Sequence, residues 1–200
     1  MANTLILDFL GTFIDSYTIF SNLQALDEDT SSAAICLSLP ELLSNSGYKN
    51  KSHAMRQLNR LIKDKPLAFK PFTPLLESLN ILKQAGFRLG LLAPKLKTQA
   101  QAICEEYSVE LFDFIESDTS FFSKDYILRR TLKKHAIDPG DVIYLSGNLN
   151  NLESAQQDRV RQIADTWGFD SPENLQKAHP AYTIVRPDEL LTVMTEQLVY

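Results

Sequence analysis

Apolar and β-branched residues run unbroken from Thr4 to Leu7, stop on Asp8 and are followed shortly by Gly11, which predicts a short strand buried on both faces. Leu75, Leu76, Leu79 and Leu82 then recur at helical spacing ahead of Gly86, a left-handed stop signal, and Arg88-Leu89-Gly90-Leu91-Leu92 reads as the next strand. Beyond it the pattern predicts a polar helix over about 96–107, a strand near 111–115 and a basic helix from about Asp125 to His135. A turn at Asp138-Pro139-Gly140 leads into a strand at Val142–Ser146. A helix near 152–160, strands at 162–166 and 182–185 and a closing helix from Pro187 complete the alternation. Strands and helices alternating at these lengths predict an α/β fold, a Rossmann-like parallel sheet with helices on both faces. In such sheets ligands bind outside the carboxyl ends of the strands, so Asp8 stands where chemistry is to be sought.

The stretch from Tyr17 to Ala68 breaks the alternation. It offers helical periodicity at 19–25, 39–43 and 54–62 and no convincing strand. The domain division read from this is a core of 1–16 and 69–200, with 17–68 as a small all-helical cap inserted after the first strand. An insertion there is expected to sit over the carboxyl edge as a lid or specificity surface.

Composition narrows the function classes. With 20 Lys+Arg against 25 Asp+Glu and a net charge of −5, the chain carries no basic surface of the kind nucleic acid requires. No basic-then-apolar leader and no run of about 18 apolar residues is present, so the expectation is a cytoplasmic protein with neither nucleic acid nor membrane as partner. Cys36 and Cys104 lie far apart without ligand-spaced neighbours and read as reduced, ordinary thiols. His53, His135 and His179 read as surface or helix-terminal residues, Trp167 and Phe169 as packing residues, and Arg129-Arg130 to Lys133-Lys134 as one solvated helix face.

Four short segments carry a resemblance. Asp8-Phe9-Leu10-Gly11-Thr12-Phe13-Ile14-Asp15-Ser16, then Leu91-Leu92-Ala93-Pro94-Lys95, then Lys124-Asp125, and last Leu145-Ser146-Gly147-Asn148 resemble, in order and spacing, the four motifs of the haloacid dehalogenase-like superfamily. The likeness is nearest to its phosphoglycolate phosphatase-like branch, which also has a segment similar to 166–175. The resemblance implies catalytic roles for Asp8, as nucleophile, and Lys124, which would either neutralise a transferred group or pair with Asp8. It further implies Gly11 and Thr12 as substrate-binding residues and Asp8, Leu10 and Asn148 as a metal site, while Lys95 and Lys97, just past the second motif, read either as cations for an anionic substrate at the pocket mouth or as a solvated helix start. Read without the resemblance, Asp8 is a turn-capping carboxylate.

Three motifs depart from the family pattern at the atom that does the work. Leu10 stands where the phosphatases carry an acid/base, and losing such a group costs about 10²–10⁴ in rate. Ala93-Pro94 lacks the hydroxyl and amide hydrogen that would hold a phosphoryl oxygen, a loss of about 10²–10³ per donor. Asn148 is neutral where a magnesium ligand is expected, and Asn151 or Leu152 stands where a second carboxylate belongs, so the expected cofactor is none or weakly bound Mg²⁺. The expected function is that of a pseudoenzyme of phosphatase descent, with lost or strongly reduced Mg²⁺-dependent phosphatase activity, that acts by binding a protein partner or a small anionic ligand. A weak or altered phosphatase on a small phosphomonoester comes second. A hydrolase like the 2-haloacid dehalogenases comes third, since that branch needs no acid two residues after the nucleophile and reads S-S-N-x-x-D where this chain has Ser146-Gly147-Asn148-Leu149-Asn150-Asn151.

Overall fold

The apolar run at the amino terminus forms strand β1 (Thr4–Asp8), with every residue buried. It lies between β2 (Arg88–Leu92) and β4 (Val142–Ser146), to which it is paired in parallel, Thr4 opposite Arg88 on one side and Val142 on the other. The computed structural model describes residues 3–15, 17–19, 60–118 and 127–196. Within them β3 (Phe114–Glu116), β5 (Arg161–Asp165) and β6 (Tyr182–Ile184) complete a six-stranded sheet of order β3-β2-β1-β4-β5-β6, all pairs parallel. The helices are α1 (Thr73–Gln84), α2 (Lys97–Glu106), α3 (Ile127–Lys134), α4 (Leu149–Gln157), the short α5 (Pro172–Leu175) and α6 (Glu189–Glu196).

Because side chains alternate along a strand, β1 feeds two cores. Leu5 and Leu7 join Leu89, Leu91, Ile143 and Leu145 on one face. Ile6 points to the other, where Leu92, Phe114, Leu128 and Leu132 cover it. Asp8 continues the Ile6 side, and the register sets it beside Tyr144 and Ser146 of β4. This double burial explains why the strand reads as continuously apolar.

The expected elements are present with shifted bounds. The helix expected near 152–160 starts at Leu149, because the Asn148 side chain accepts from the Asn151 amide as an N-cap and Asp170 Oδ2 accepts the Leu149 amide at 2.9 Å. The strand expected from 111 begins at Phe114, since Asp113 spends its backbone amide and one carboxylate oxygen on Leu89. Residues 17–19 and 60–64 are helical, and the rest of the expected cap, 20–59, lies outside the described residues, as do Cys36, His53 and Lys124. Asp15 Oδ1 accepts the Thr18 amide at 2.8 Å and so caps the helix that enters that segment.

His135 directly follows α3, a helix-terminal position as expected, and is held by packing and hydrogen bonds. Its ring stacks on Phe114 with centroids 4.1 Å apart, and its two nitrogens reach Arg88 Nη2 at 3.2 Å and Glu116 Oε1 at 3.0 Å. A guanidinium only donates, so Nδ1 is the acceptor and Nε2–H donates to the carboxylate in the neutral ring. Lys134 and Arg130 of the basic helix likewise close on Glu116 (2.7 Å) and Asp118 (2.9 Å). Cys104 is a buried free thiol, and burial pushes it up to about 11, which leaves it unreactive near neutrality.

The carboxyl edge is drawn tight by glycines. A Cβ on Gly168 would lie 2.3 Å from Gly147 Cα and 2.7 Å from the Gly11 carbonyl oxygen, and Gly11 itself, at φ 87°, has the Phe169 ring where its Cβ would be. The loops after β1, β4 and β5 therefore meet at backbone distance. Gly168→Ala should lower unfolding stability by about 1–3 kcal/mol, read from urea denaturation, because backbone on two sides cannot yield to the added methyl.

Candidate active site at the carboxyl edge of the sheet

Asp8 ends β1 at the centre of the sheet, and its buried carboxylate is met by three side-chain donors. The Tyr144 hydroxyl donates to Oδ1, the Ser146 hydroxyl donates to Oδ2, and Asn151 Nδ2 donates to Oδ2 at 2.7 Å. Tyr144 lies opposite Ile6 in the register, two residues short of Asp8, and the length of its ring brings the phenol level with the carboxylate. The Ser146 oxygen accepts the Asn148 amide at 3.1 Å, which leaves its hydrogen for Asp8. Burial pushes the Asp8 carboxyl above the ordinary carboxylate range, against the opposing pull of the bonds from Ser146, Tyr144 and Asn151.

The loop after β1 is a compact turn. Phe13 and Ile14 donate their amides to the Asp8 and Phe9 carbonyls at 3.0 and 2.9 Å, and the Gly11 amide donates to the Ile14 carbonyl at 2.8 Å. Leu10 bridges to Ile14 through the backbone while its side chain packs on the core. The Thr12 hydroxyl is buried, donates to Asp165 Oδ2 at 2.7 Å and accepts the Gly147 amide at 3.2 Å. Gly11 and Thr12 thus spend the amide and hydroxyl a substrate would use on holding their own loop. After β2, Ala93 is buried, and Lys95 is exposed with a left-handed backbone, φ 61°, its amide donating to Ser117 Oγ at 2.9 Å.

Of the sequence-derived site residues, Asp8, Leu10, Gly11 and Thr12 share one turn, and Asn148 stands beside it as the cap of α4. The side chain that reaches Asp8 from that loop is Asn151, whereas Leu152 is buried in a small apolar cluster, which settles the choice left open between those two positions. Lys124 lies outside the described residues. Sequence reasoning missed Tyr144 and Asp165. For Tyr144 the signal was available, since β4 alternates Tyr144 and Ser146 on one face and a parallel neighbour puts that face beside Asp8.

Asp165 ends β5 as Asp8 ends β1, but points to the opposite face of the sheet with Ile163. It is fully buried. Oδ2 holds Thr12, whereas Oδ1 has no partner at hydrogen-bond geometry, although the Gly168 amide is near enough to favour its charged form. Burial pushes this carboxyl well above the usual range, with Asp8 adding repulsion.

The donor set does not fit Mg²⁺. That ion needs oxygen lone pairs in a near-octahedral shell, and here O–H and N–H hydrogens point at both oxygens of the only acid in the cage. Among the described residues no group of three His, Cys, Asp or Glu side chains comes together as a ligand set. Among them, too, no helix is long and apolar enough to cross a membrane.

A parallel sheet with an acid at the end of a central strand, faced by loops from both neighbours, defines the class: a Rossmann-like α/β fold with its candidate site at the carboxyl edge. Residues 5–164 match the family model described as haloacid dehalogenase-like hydrolase, and the chain belongs to that family. A phosphoglycolate phosphatase from Synechococcus elongatus is 23% identical over 205 residues, covering 96% of this chain and 97% of its own length. Two solved structures share the fold. A haloacid dehalogenase-like family hydrolase from Streptococcus pneumoniae has a TM-score of 0.73 at 20% identity over 96% of this chain and 98% of its own. A protein from Clostridium acetobutylicum described as a predicted phosphatase has a TM-score of 0.72 at 19% identity over 98% and 99%.

The two buried acids give stability a definite pH dependence. Both have folded values above the unfolded carboxylate value of about 3.9, so the folded state binds more protons than the unfolded chain. Their contribution is fully present below about pH 4 and is lost as pH rises through the folded values. Asp165→Asn, neutral and similar in shape, should flatten that decline in denaturation midpoints measured from pH 4 to 8. An unchanged slope would refute the burial argument for Asp165.

Proposed function

We propose that this chain is a haloacid dehalogenase-like protein of phosphatase descent in which Mg²⁺-dependent phosphoryl transfer is lost or strongly reduced, and that it acts by binding a small anionic ligand or a protein partner. The observation that carries the reading is the Asp8 cage. A nucleophile needs a lone pair that can reach phosphorus, but three donors occupy the carboxylate, and it is almost completely buried. Leu10 and the buried Ala93 add the absence of an acid/base and of a phosphoryl-binding hydroxyl. Mg²⁺ is at most weakly bound on this reading, since no group of three His, Cys, Asp or Glu side chains gathers as a ligand set among the described residues. Lys95, exposed at the same edge, is the cation we assign to an anionic ligand. The inserted segment 17–68, which we assign as a cap and which is entered where Asp15 accepts the Thr18 amide, would supply the rest of the binding surface.

One observation favours a second reading. Ser146 and Asn151 both bond Asp8, and these are the positions where the dehalogenase pattern carries its first Ser and its final Asp. Attack of a carboxylate on a carbon bearing halide needs neither metal nor leaving-group proton. Asn151, however, donates to Asp8 and cannot serve as the base for the water that would release the product.

A steady-state screen on small phosphomonoesters, phosphoglycolate included, with and without Mg²⁺, should give turnover at background. Asp8→Asn should not change it. Turnover in the ordinary range of about 1–10³ s⁻¹ that disappears in Asp8→Asn would overturn the proposal. Halide release from 2-haloacids, lost in the same variant, would establish the second reading instead.

A further inference from the structure

The cage around Asp8 is not closed equally on every side. Strands β2 and β4 flank the acid, and the loops after β1, β4 and β5 meet at backbone distance. The face it shares with Ile6 is covered by Leu92, Phe114 and the other residues of the second core. Of the three donors, Tyr144 is 3% exposed and Ser146 0%, whereas Asn151 is half-buried. Among them Asn151 alone reaches from the carboxylate to solvent.

Asn151 is also the donor whose side chain can withdraw without disturbing its element. It sits in the first turn of α4, where its backbone amide is held independently by the Asn148 carbonyl at 3.2 Å and by Asn148 Oδ1 at 3.4 Å. The bond from Nδ2 to Asp8 Oδ2, at 2.7 Å, breaks when χ1 turns to another staggered rotamer, and water takes up the freed amide. The phenol of Tyr144 and the hydroxyl of Ser146 can redirect their hydrogens, but both side chains are enclosed and stay where they are.

We propose that Asn151 is the gate of the site: with its amide on Asp8 the carboxylate is sealed, and the swing of that one side chain opens Oδ2 to solvent and to any ligand that reaches it. The inference rests on the closed cage of the proposed function and adds the place at which the cage opens. A gate differs from a mere third donor. Removing any donor alters the bonding of Asp8, but only removal of the gate uncovers it.

The test reads the accessibility of Asp8 in the full chain by carbodiimide coupling of glycinamide to carboxyl groups, followed by digestion and mass spectrometry. In the unaltered chain Asp8 should label slowly. Asn151→Ala should raise its rate about tenfold or more, because the reagent then reaches the carboxyl without local opening. Loss of a donor also makes the carboxyl easier to protonate and so to activate, and Ser146→Ala measures that effect by itself, since it strips a bond from the same oxygen behind a closed gate. That variant should label near the unaltered rate. Equal acceleration in the two variants would overturn the proposal, as would no acceleration in Asn151→Ala. If Ser146→Ala does not fold, Asn151→Leu decides, because it keeps bulk over the carboxyl and offers no donor: slow labelling upholds the gate, and labelling at the rate of Asn151→Ala overturns it. Labelling of Asp8 in the unaltered chain as fast as that of the exposed Asp188 would show the cage itself to be open, which removes the functional reading along with the gate.

Discussion

A carboxylate taken out of water has to be satisfied by something, and much of the site's construction follows from how Asp8 is satisfied. Its position is not negotiable: it ends the central strand of a parallel sheet, with paired neighbours on both sides and apolar layers above and below. In the family to which the chain belongs, cation chemistry ordinarily answers that demand. Here three neutral hydrogen-bond donors from one strand and the helix after it do so. Asp8 is thereby the acceptor at the centre of a polar network. Such a network is stable when every member is paired, and it loses more by the removal of its hub than by loss of any one spoke.

A second acid supports the same region from the other face. Asp165 holds the Thr12 hydroxyl, Thr12 accepts the Gly147 amide, and Gly147 lies against Gly168. The loops after β1, β4 and β5 meet one another here. Deep burial of an acid with one unpaired oxygen is costly, and its counterpart is the bond that holds the Thr12 hydroxyl of the loop after β1.

How far the sequence revealed this depends on the kind of information each residue carries. The alternation of apolar runs was enough for the sheet, because a strand buried on both faces has a composition nothing else in the chain shares. The motifs located Asp8 and, beside it, Leu10 and Ala93. Tyr144 escaped notice because a tyrosine in an apolar strand reads as core, and only the register with β1 turns it into a ligand for a carboxylate. Asp165 escaped for the opposite reason: a polar residue at a strand end reads as the start of a loop, and its burial comes from the glycine contacts of a distant part of the chain. Asn151 and Leu152 were interchangeable until the cap at Asn148 fixed the phase of α4.

The chain has one tryptophan, and the fold places it where it is most informative. Trp167 Nε1 donates to the Thr12 carbonyl at 3.2 Å, and its ring lies 5.6 Å from that of Phe72, whose amide in turn bonds the Phe13 carbonyl. The indole therefore touches the loop that carries Asp8 and the segment that leads back into the core from the inserted residues. A single fluorophore in that position makes the protein its own optical sensor. Any occupant that shifts the loop or reorders the junction alters the emission of one residue, with no second indole to dilute the signal.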